Sequence, residues 1–184
     1  KKLPFMTRCI METLRLWTAI PNGTTRELVK EETITNKNGG QITLKKGTYV
    51  QIPNWTRHRN PLLWGSDFDK FNPEREFSDD EIWGKAVIAS YNPNSSRFSP
   101  FTYGPRDCIG KNFSQIEMRL ILLHLIRNFK FCLPQNQLST YSMDDLSYNR
   151  FTLSPRNINN KCIYDSDSGL YLDVFKRNID TSKL

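Results

Sequence analysis

Residues 101–110 read Phe-Thr-Tyr-Gly-Pro-Arg-Asp-Cys-Ile-Gly and run straight into an apolar-periodic stretch. A cysteine at the start of a helix sits where the first N–H groups are unsatisfied and the helix dipole is positive, so a thiolate is favoured there. Such a setting lowers a thiol pKa from its free value of about 8.5. Gly104 and Pro105 fit a tight turn, because proline fixes its own φ and glycine accepts a positive one. Arg106, two residues before Cys108, places a fixed cation beside the anion site. Gly110 leaves room for something flat to approach the first helical turn. A cysteine at a helix start, taken alone, is ordinarily a small buried hydrophobe. What sets this one apart is the spacing around it.

That spacing, F-x-x-G-x-R-x-C-x-G from Phe101 to Gly110, resembles the haem-binding signature of the cytochromes P450, with no departure. The resemblance implies that Cys108 is the catalytic axial thiolate of a haem b iron. It further implies that Arg106 pairs with a haem propionate and that Phe101 packs on the thiolate side. Gly104 belongs to the turn of the same cofactor loop, and Gly110 lets the macrocycle lie on the helix start.

The chain has 184 residues, enough for one domain with a core. Its formal charge of +7 fits an anionic partner or a membrane surface. Nucleic acid is disfavoured, since there is no basic run, finger spacing or RNP-like stretch. No segment reaches the roughly 18–20 apolar residues of a membrane span, and no signal peptide or other targeting segment is recognisable. The first residue is Lys1 rather than Met, and a helix begins at once, so the chain reads as part of a longer protein. Cysteines at 9, 108, 132 and 162 are too far apart for a zinc module or a compact disulfide scaffold, which predicts reduced, mostly buried thiols. His58 and His124 lack ligand-pair spacing, and His124 reads as packed or solvated. The sequons at Asn22, Asn54, Asn94 and Asn112 read as chance.

Leu3, Met6, Ile10, Leu14 and Trp17 recur at helical spacing and predict a helix over 3–17. Glu12 and Arg15 fall on roughly the opposite face, where periodicity alone makes them a solvated surface pair. Glu12-Thr-Leu-Arg15 is nevertheless similar to the E-x-x-R motif of the P450 K helix. Phe71-Asn-Pro-Glu-Arg-Glu-Phe77 resembles the family's F-x-P-E-R-F segment, with Glu76 displacing the second Phe and putting its packing in doubt. On that resemblance Glu12, Arg15 and Arg75 form a structural triad.

Residues 27–35, 41–44 and 48–52 read as strands, with a hairpin signal at Asn38-Gly39. They resemble the small sheet after the K helix, in which Arg26 would contact a haem propionate. Residues 55–65 read as a short helix and turn. Residues 78–100 lack a period and resemble the family's meander. Ile109, Phe113, Ile116, Leu120 and Leu123 predict a broad-faced, buried helix over 109–127, the family's L helix. Short strands follow at 150–153, 161–164 and 170–175. Asp165–Gly169 reads as a hairpin turn, because it lacks the bidentate Glu of a calcium loop.

The fold class implied is mainly α with small antiparallel sheets (α+β). Residues 1–184 would form one partial P450 domain, with the N-terminal half, its membrane anchor and the I helix missing. The function implied is that of a haem-thiolate monooxygenase using O₂, a small-molecule substrate and electrons from NADPH–cytochrome P450 reductase. The full-length protein is expected on the cytosolic face of the endoplasmic reticulum membrane, and the isolated chain is expected to be inactive. Alternatives are an inactive truncated chain without haem and a small haem-binding or electron-transfer module. Ile20, Asn22, Thr24 and Thr25 occupy the segment that approaches substrate in the family. Residues 14–28 and 99–123 also look like the fungal P450s that couple N-formyl-tyrosine into dityrosine for the spore wall. A generic fungal P450 acting on another small molecule is the competing expectation.

Overall fold

The computed structural model describes residues 4–78, 81, 95, 97–102, 105–132, 147–149, 153–155 and 172–177, the two three-residue strands by backbone alone. Helix α1 spans Pro4–Leu16. Proline suits the first helical turn, where its missing N–H costs nothing. Trp17 extends the helix by one bond, its N–H donating to the Thr13 carbonyl at 2.7 Å. Leu3 lies outside the described residues. Ile10 is buried, with Met6 and Leu14 packed beside it, as the stripe predicts. Glu12 and Arg15 are not the solvated pair that periodicity alone would make them: both are 0% exposed, and Met11 and Leu16 are buried with them.

Gly23 ends the turn after α1 at φ +67°, where a Cβ would lie 1.9 Å from the Ile52 carbonyl oxygen. Only glycine fits there. Strands β1 (Thr24–Glu27) and β4 (Tyr49–Ile52) pair antiparallel, Thr24 opposite Ile52. Strands β2 (Glu32–Thr35) and β3 (Gln41–Leu44) pair separately, Glu32 opposite Leu44. The single strand predicted over 27–35 is therefore divided between two ladders. Between them Leu28 turns the chain, donating to the Thr48 carbonyl and accepting from the Gly47 N–H. The predicted β2–β3 hairpin turn forms, with the Asn36 side chain accepting from the Asn38 and Gly40 N–H groups.

The short helix and turn predicted over 55–65 are two short helices, α2 (Asn54–His58) and α3 (Pro61–Trp64). Pro61 forces the break, because the residue before a proline avoids helical angles. Asn60 is accordingly extended, and its side chain caps α3 by accepting from the Leu62 N–H at 2.9 Å. Phe77 packs edge-on against Trp64 and Phe98, at 5.7 and 5.1 Å between ring centroids, so Glu76 does not displace it from the core. That core joins Ile10 and Met11 of α1 to Trp64 and Phe98.

Helix α4 spans Lys111–Asn128 and starts two residues later than predicted. Lys111 and Gln115 are buried, and Met118 and Leu122, on the same row, pack on the core. Phe113, Ile116, Leu120 and Leu123 are exposed, as is Ile109 before the helix. The expectation of a buried helix is thus corrected for the described residues. Periodicity identifies which side chains share a face, but not what lies against it. Strand β5 (Phe129–Cys132) follows α4 directly and pairs with β8 (Asp173–Lys176). Strands β6 (Ser147–Asn149) and β7 (Leu153–Pro155) form a further antiparallel pair. The strand predicted at 161–164, the turn at 165–169, Cys162, Asn94 and most of 78–100 lie outside the described residues.

Cys9, Cys108 and Cys132 are free thiols, the first and last half-buried and Cys108 exposed, so the described thiols are not buried as expected. Asn54 is 3% exposed and hydrogen-bonded to the Ile20 carbonyl, which leaves no room for a glycan.

Candidate haem-thiolate site

Two buried ionic clusters brace a cysteine loop. In the first, the Arg15 guanidinium donates to both Glu12 carboxylate oxygens at 2.8 Å. Arg75 Nε donates to Glu12 Oε1 at 3.0 Å, and the Asn72 N–H donates to the same oxygen. The sequence-predicted residues Glu12, Arg15 and Arg75 are therefore brought together. Their remaining N–H groups donate to chain carbonyls: Arg15 to His58, Phe68 and Lys70, Arg75 to Trp64, Asp67 and Lys70. Two arginines thus fasten residues 58–70 to α1. Asp67 completes the cluster, and its hydrogen bond from Arg75 holds its carboxyl below the ordinary value. Burial works against the Arg75 charge, but Asp67 and Glu12 outweigh it and raise its pKa.

The second cluster had no motif to announce it. Arg97 donates through Nε and Nη2 to the two Glu81 oxygens at 2.8 Å. Burial opposes Glu81 ionisation, but Arg97, the Ser95 hydroxyl and the Ser78 N–H together hold its pKa below the usual value. The Arg97 guanidinium lies 4.3 Å from the Trp64 ring centre, and Arg15 lies 5.1 Å from it. Trp64 therefore joins the two clusters through cation–π contacts.

The cysteine loop leaves this framework at Phe98 and Ser99, both buried. The Thr102 N–H donates to the Ser99 carbonyl, the Cys108 N–H to the Phe101 carbonyl and the Lys111 N–H to the Cys108 carbonyl, at 3.0, 3.0 and 3.1 Å. The loop is thus folded back on itself and delivered to the start of α4. Thr102 has φ 64°. That left-handed conformation costs a branched residue about 1–3 kcal/mol and is held by its surroundings. Phe101 is half-buried and packs on the core. Cys108 and Arg106 are exposed, and Gly104 lies outside the described residues.

Arg26 is exposed on β1, where its side chain donates to the Thr25 carbonyl; among the described residues no bond joins it to the cysteine loop. Ile20 and Thr24 are half-buried, and Asn22 and Thr25 are exposed. His124 is exposed on α4.

His58 is the group sequence reasoning missed most plainly. It is 0% exposed, its ring lies tilted against Phe98 at 5.3 Å between centroids, and its Nε2 accepts the Ser99 N–H at 3.2 Å. Burial, with Arg57 and Arg15 nearby, pushes its pKa down to about 3. Unfolded, the residue titrates near 6.5. His58 therefore leaves stability intact above pH 6.5 and weakens it as pH falls toward 3, because only the unfolded state takes up the proton. Across that window the folding equilibrium should lose up to about tenfold per pH unit from this residue. Urea unfolding of wild type and His58→Gln between pH 7 and pH 4 checks this: the wild-type decline should be steeper, and equal slopes would contradict the assignment.

Among the described residues no group of three or more His, Cys, Asp or Glu is placed to hold a metal ion. A metal carried in a macrocycle would need only the Cys108 sulfur from the protein and would bring its other ligands with it. The surroundings suit a flat, anionic, largely apolar carrier of that kind. Ile109, next to the thiol in the chain, and Phe113 in the first turns of α4 offer exposed apolar surface. Arg106 has no carboxylate partner among the described residues. Gly110 has an ordinary φ of −82°, and a Cβ there would meet only the Cys108 sulfur, at 3.8 Å. Nothing within the described chain demands glycine at 110, whereas a macrocycle against the sulfur would.

A lone exposed cysteine before a helix start, held by a folded-back loop and braced by buried Glu–Arg clusters, is the arrangement of a haem-thiolate class of protein. The sequence profile described as Cytochrome P450 matches residues 1–159, and the chain belongs to that family. It is 38% identical to cytochrome P450 709B1 of Arabidopsis thaliana over 71% of its length, which is 22% of that protein. It is 31% identical to cytochrome P450 714C1 of Oryza sativa subsp. japonica over 71% of its length and 23% of that protein. The retinoic acid-bound structure of cyanobacterial CYP120A1 superposes with a TM-score of 0.66 at 26% identity, covering 95% of this chain and 33% of that one. The cytochrome P450DA heme domain superposes equally well at 25% identity, over 94% of this chain and 31% of its own. The chain spans about a quarter of the length of the curated relatives it matches. The expected α+β class and the P450 fold are therefore observed, and the cofactor the family implies is haem b.

Proposed function

We propose that this chain forms the thiolate side of a haem monooxygenase that uses O₂ and electrons from NADPH–cytochrome P450 reductase. The observation that carries the reading is the exposed Cys108 at the mouth of the Phe101–Gly110 loop. Cys108 would bind the iron, Arg106 a propionate, and Phe101 would wall the thiolate side, with Gly104 and Gly110 in the same cradle and Arg26 at a propionate. Haem bound there supplies oxygen activation, which an axial thiolate favours. The protein's own contribution is to fix the sulfur: Phe101 orients Cys108 through its carbonyl, and the two buried clusters hold the loop's base. The chain's charge of +7 suits docking of an acidic electron donor, and the endoplasmic reticulum surface is the proposed site of action. Reductase-dependent, NADPH-driven substrate oxidation by the haem-loaded full-length protein tests the proposal. Absence of both haem uptake and oxidation would instead favour the inactive-chain reading.

The substrate class we favour rests on Asn22, Thr24 and Thr25, whose polar groups suit a ligand with its own donors and acceptors. Unpaired buried polar groups cost about 1–3 kcal/mol each, so an alkane-like ligand would be a poor match if it buried them. N-formyl-tyrosine fits this description. Coupling two of its phenols removes one electron and one proton from each and forms one carbon–carbon bond in place of two carbon–hydrogen bonds, and O₂ takes up those two electrons together with two more from NADPH to give two waters. A spectral shift with N-formyl-tyrosine and a fluorescent dimer are the expected results. Tight fatty-acid or sterol binding without either would overturn this assignment.

A further inference from the structure

His58 and Ser99 sit where the α1 ionic cluster meets the cysteine loop. On one side, the Arg15 guanidinium donates to the His58 carbonyl at 2.8 Å. On the other, the His58 ring accepts the Ser99 N–H at 3.2 Å, and Arg57 donates to the Ser99 hydroxyl. Arg57 is itself held by the Asn54 side chain at 2.7 Å. Ser99 then passes the restraint along the loop: its carbonyl takes the Thr102 N–H, fixing the left-handed Thr102, and the adjacent Phe101 carbonyl takes the Cys108 N–H. Every link from α2 to the thiol-bearing residue is thus a hydrogen bond or a covalent neighbour. We propose that His58, acting through Ser99 with Arg57, is a positioning residue that fixes the orientation of the Cys108 sulfur toward the haem iron.

The chemistry requires a neutral imidazole, since a protonated ring has no lone pair with which to accept the Ser99 N–H. Burial keeps the ring neutral at physiological pH. The tilted contact of Phe98 with the ring and the burial of both Phe98 and Ser99 leave no water to replace the lost acceptor. An apolar residue at 58 therefore strands the Ser99 N–H, and the loop relaxes by shifting. Glutamine can return a carbonyl oxygen to the same neighbourhood, whereas leucine fills the space without an acceptor.

This inference rests on the haem-thiolate reading, and its test separates the two. Wild type, His58→Gln, His58→Leu and Ser99→Ala are compared in the haem-loaded full-length protein, by the ferrous–carbon monoxide spectrum under increasing mild denaturant. If wild type gives no red-shifted Soret band, it is the haem-thiolate reading that fails. If it does, His58→Leu should convert to the blue-shifted form, in which the thiolate is lost, at clearly lower denaturant than global unfolding requires. Ser99→Ala should do so partly, and His58→Gln should behave nearly as wild type. A purely structural role predicts that conversion tracks global unfolding in every variant. That coincidence, or equal conversion in His58→Gln and His58→Leu, would overturn the proposal.

Discussion

Glu12→Ala is expected to remove about 3–5 kcal/mol of stability, the effect of breaking a buried ion pair from one side. The loss comes mainly from what remains. Arg15 is fully buried and the Arg75 side chain is 7% exposed, and both would keep their charge without the carboxylate that Glu12 supplies. The Asn72 N–H would lose its acceptor as well. Typical domains are stable by only about 5–15 kcal/mol, so little folded protein should accumulate. The urea midpoint and folded yield measure this directly. Wild-type values would mean that the cluster is solvated and compensated in solution.

Cys108→Ser is expected to have the opposite profile. The side chain is exposed and contributes no buried packing, so the haem-free protein should melt within about 0.5 kcal/mol of wild type. Oxidation turnover, by contrast, should fall below detection, because a serine hydroxyl does not supply the thiolate's electron density. Thermal melting of the haem-free variant, set beside its reductase-supported turnover, separates the two effects. Retained turnover would remove Cys108 from the chemistry. A large loss of apoprotein stability would make it a packing residue.

What was legible in the sequence was local and covalently close. The Phe101–Gly110 spacing, the α1 stripe and the Asn38-Gly39 turn each depend on residues a few positions apart. The burial of Glu12 and Arg15 is not legible in the periodicity of α1, where they look solvated until Arg75 and the carbonyls of residues 58–70 arrive from far along the chain; only the motif resemblance groups them with Arg75. The Glu81–Arg97 pair and the His58–Ser99 bond were invisible for the same reason: each joins residues 16 or 41 positions apart with no repeating spacing. The 27–35 strand failed differently. Its alternation was real, but the bonds made by Leu28 to Thr48 and Gly47 compete with straight extension. For α4 the sequence shows the apolar row but not its burial, since the core instead takes the row carrying Lys111, Gln115, Met118 and Leu122.

The measurement that bears most directly on Cys108 as the axial ligand is the ferrous–carbon monoxide spectrum of the haem-loaded full-length protein. A red-shifted Soret band that Cys108→Ser abolishes is the predicted result. A band at the position given by a nitrogen or neutral-thiol ligand, or a red-shifted band that survives Cys108→Ser, would contradict it.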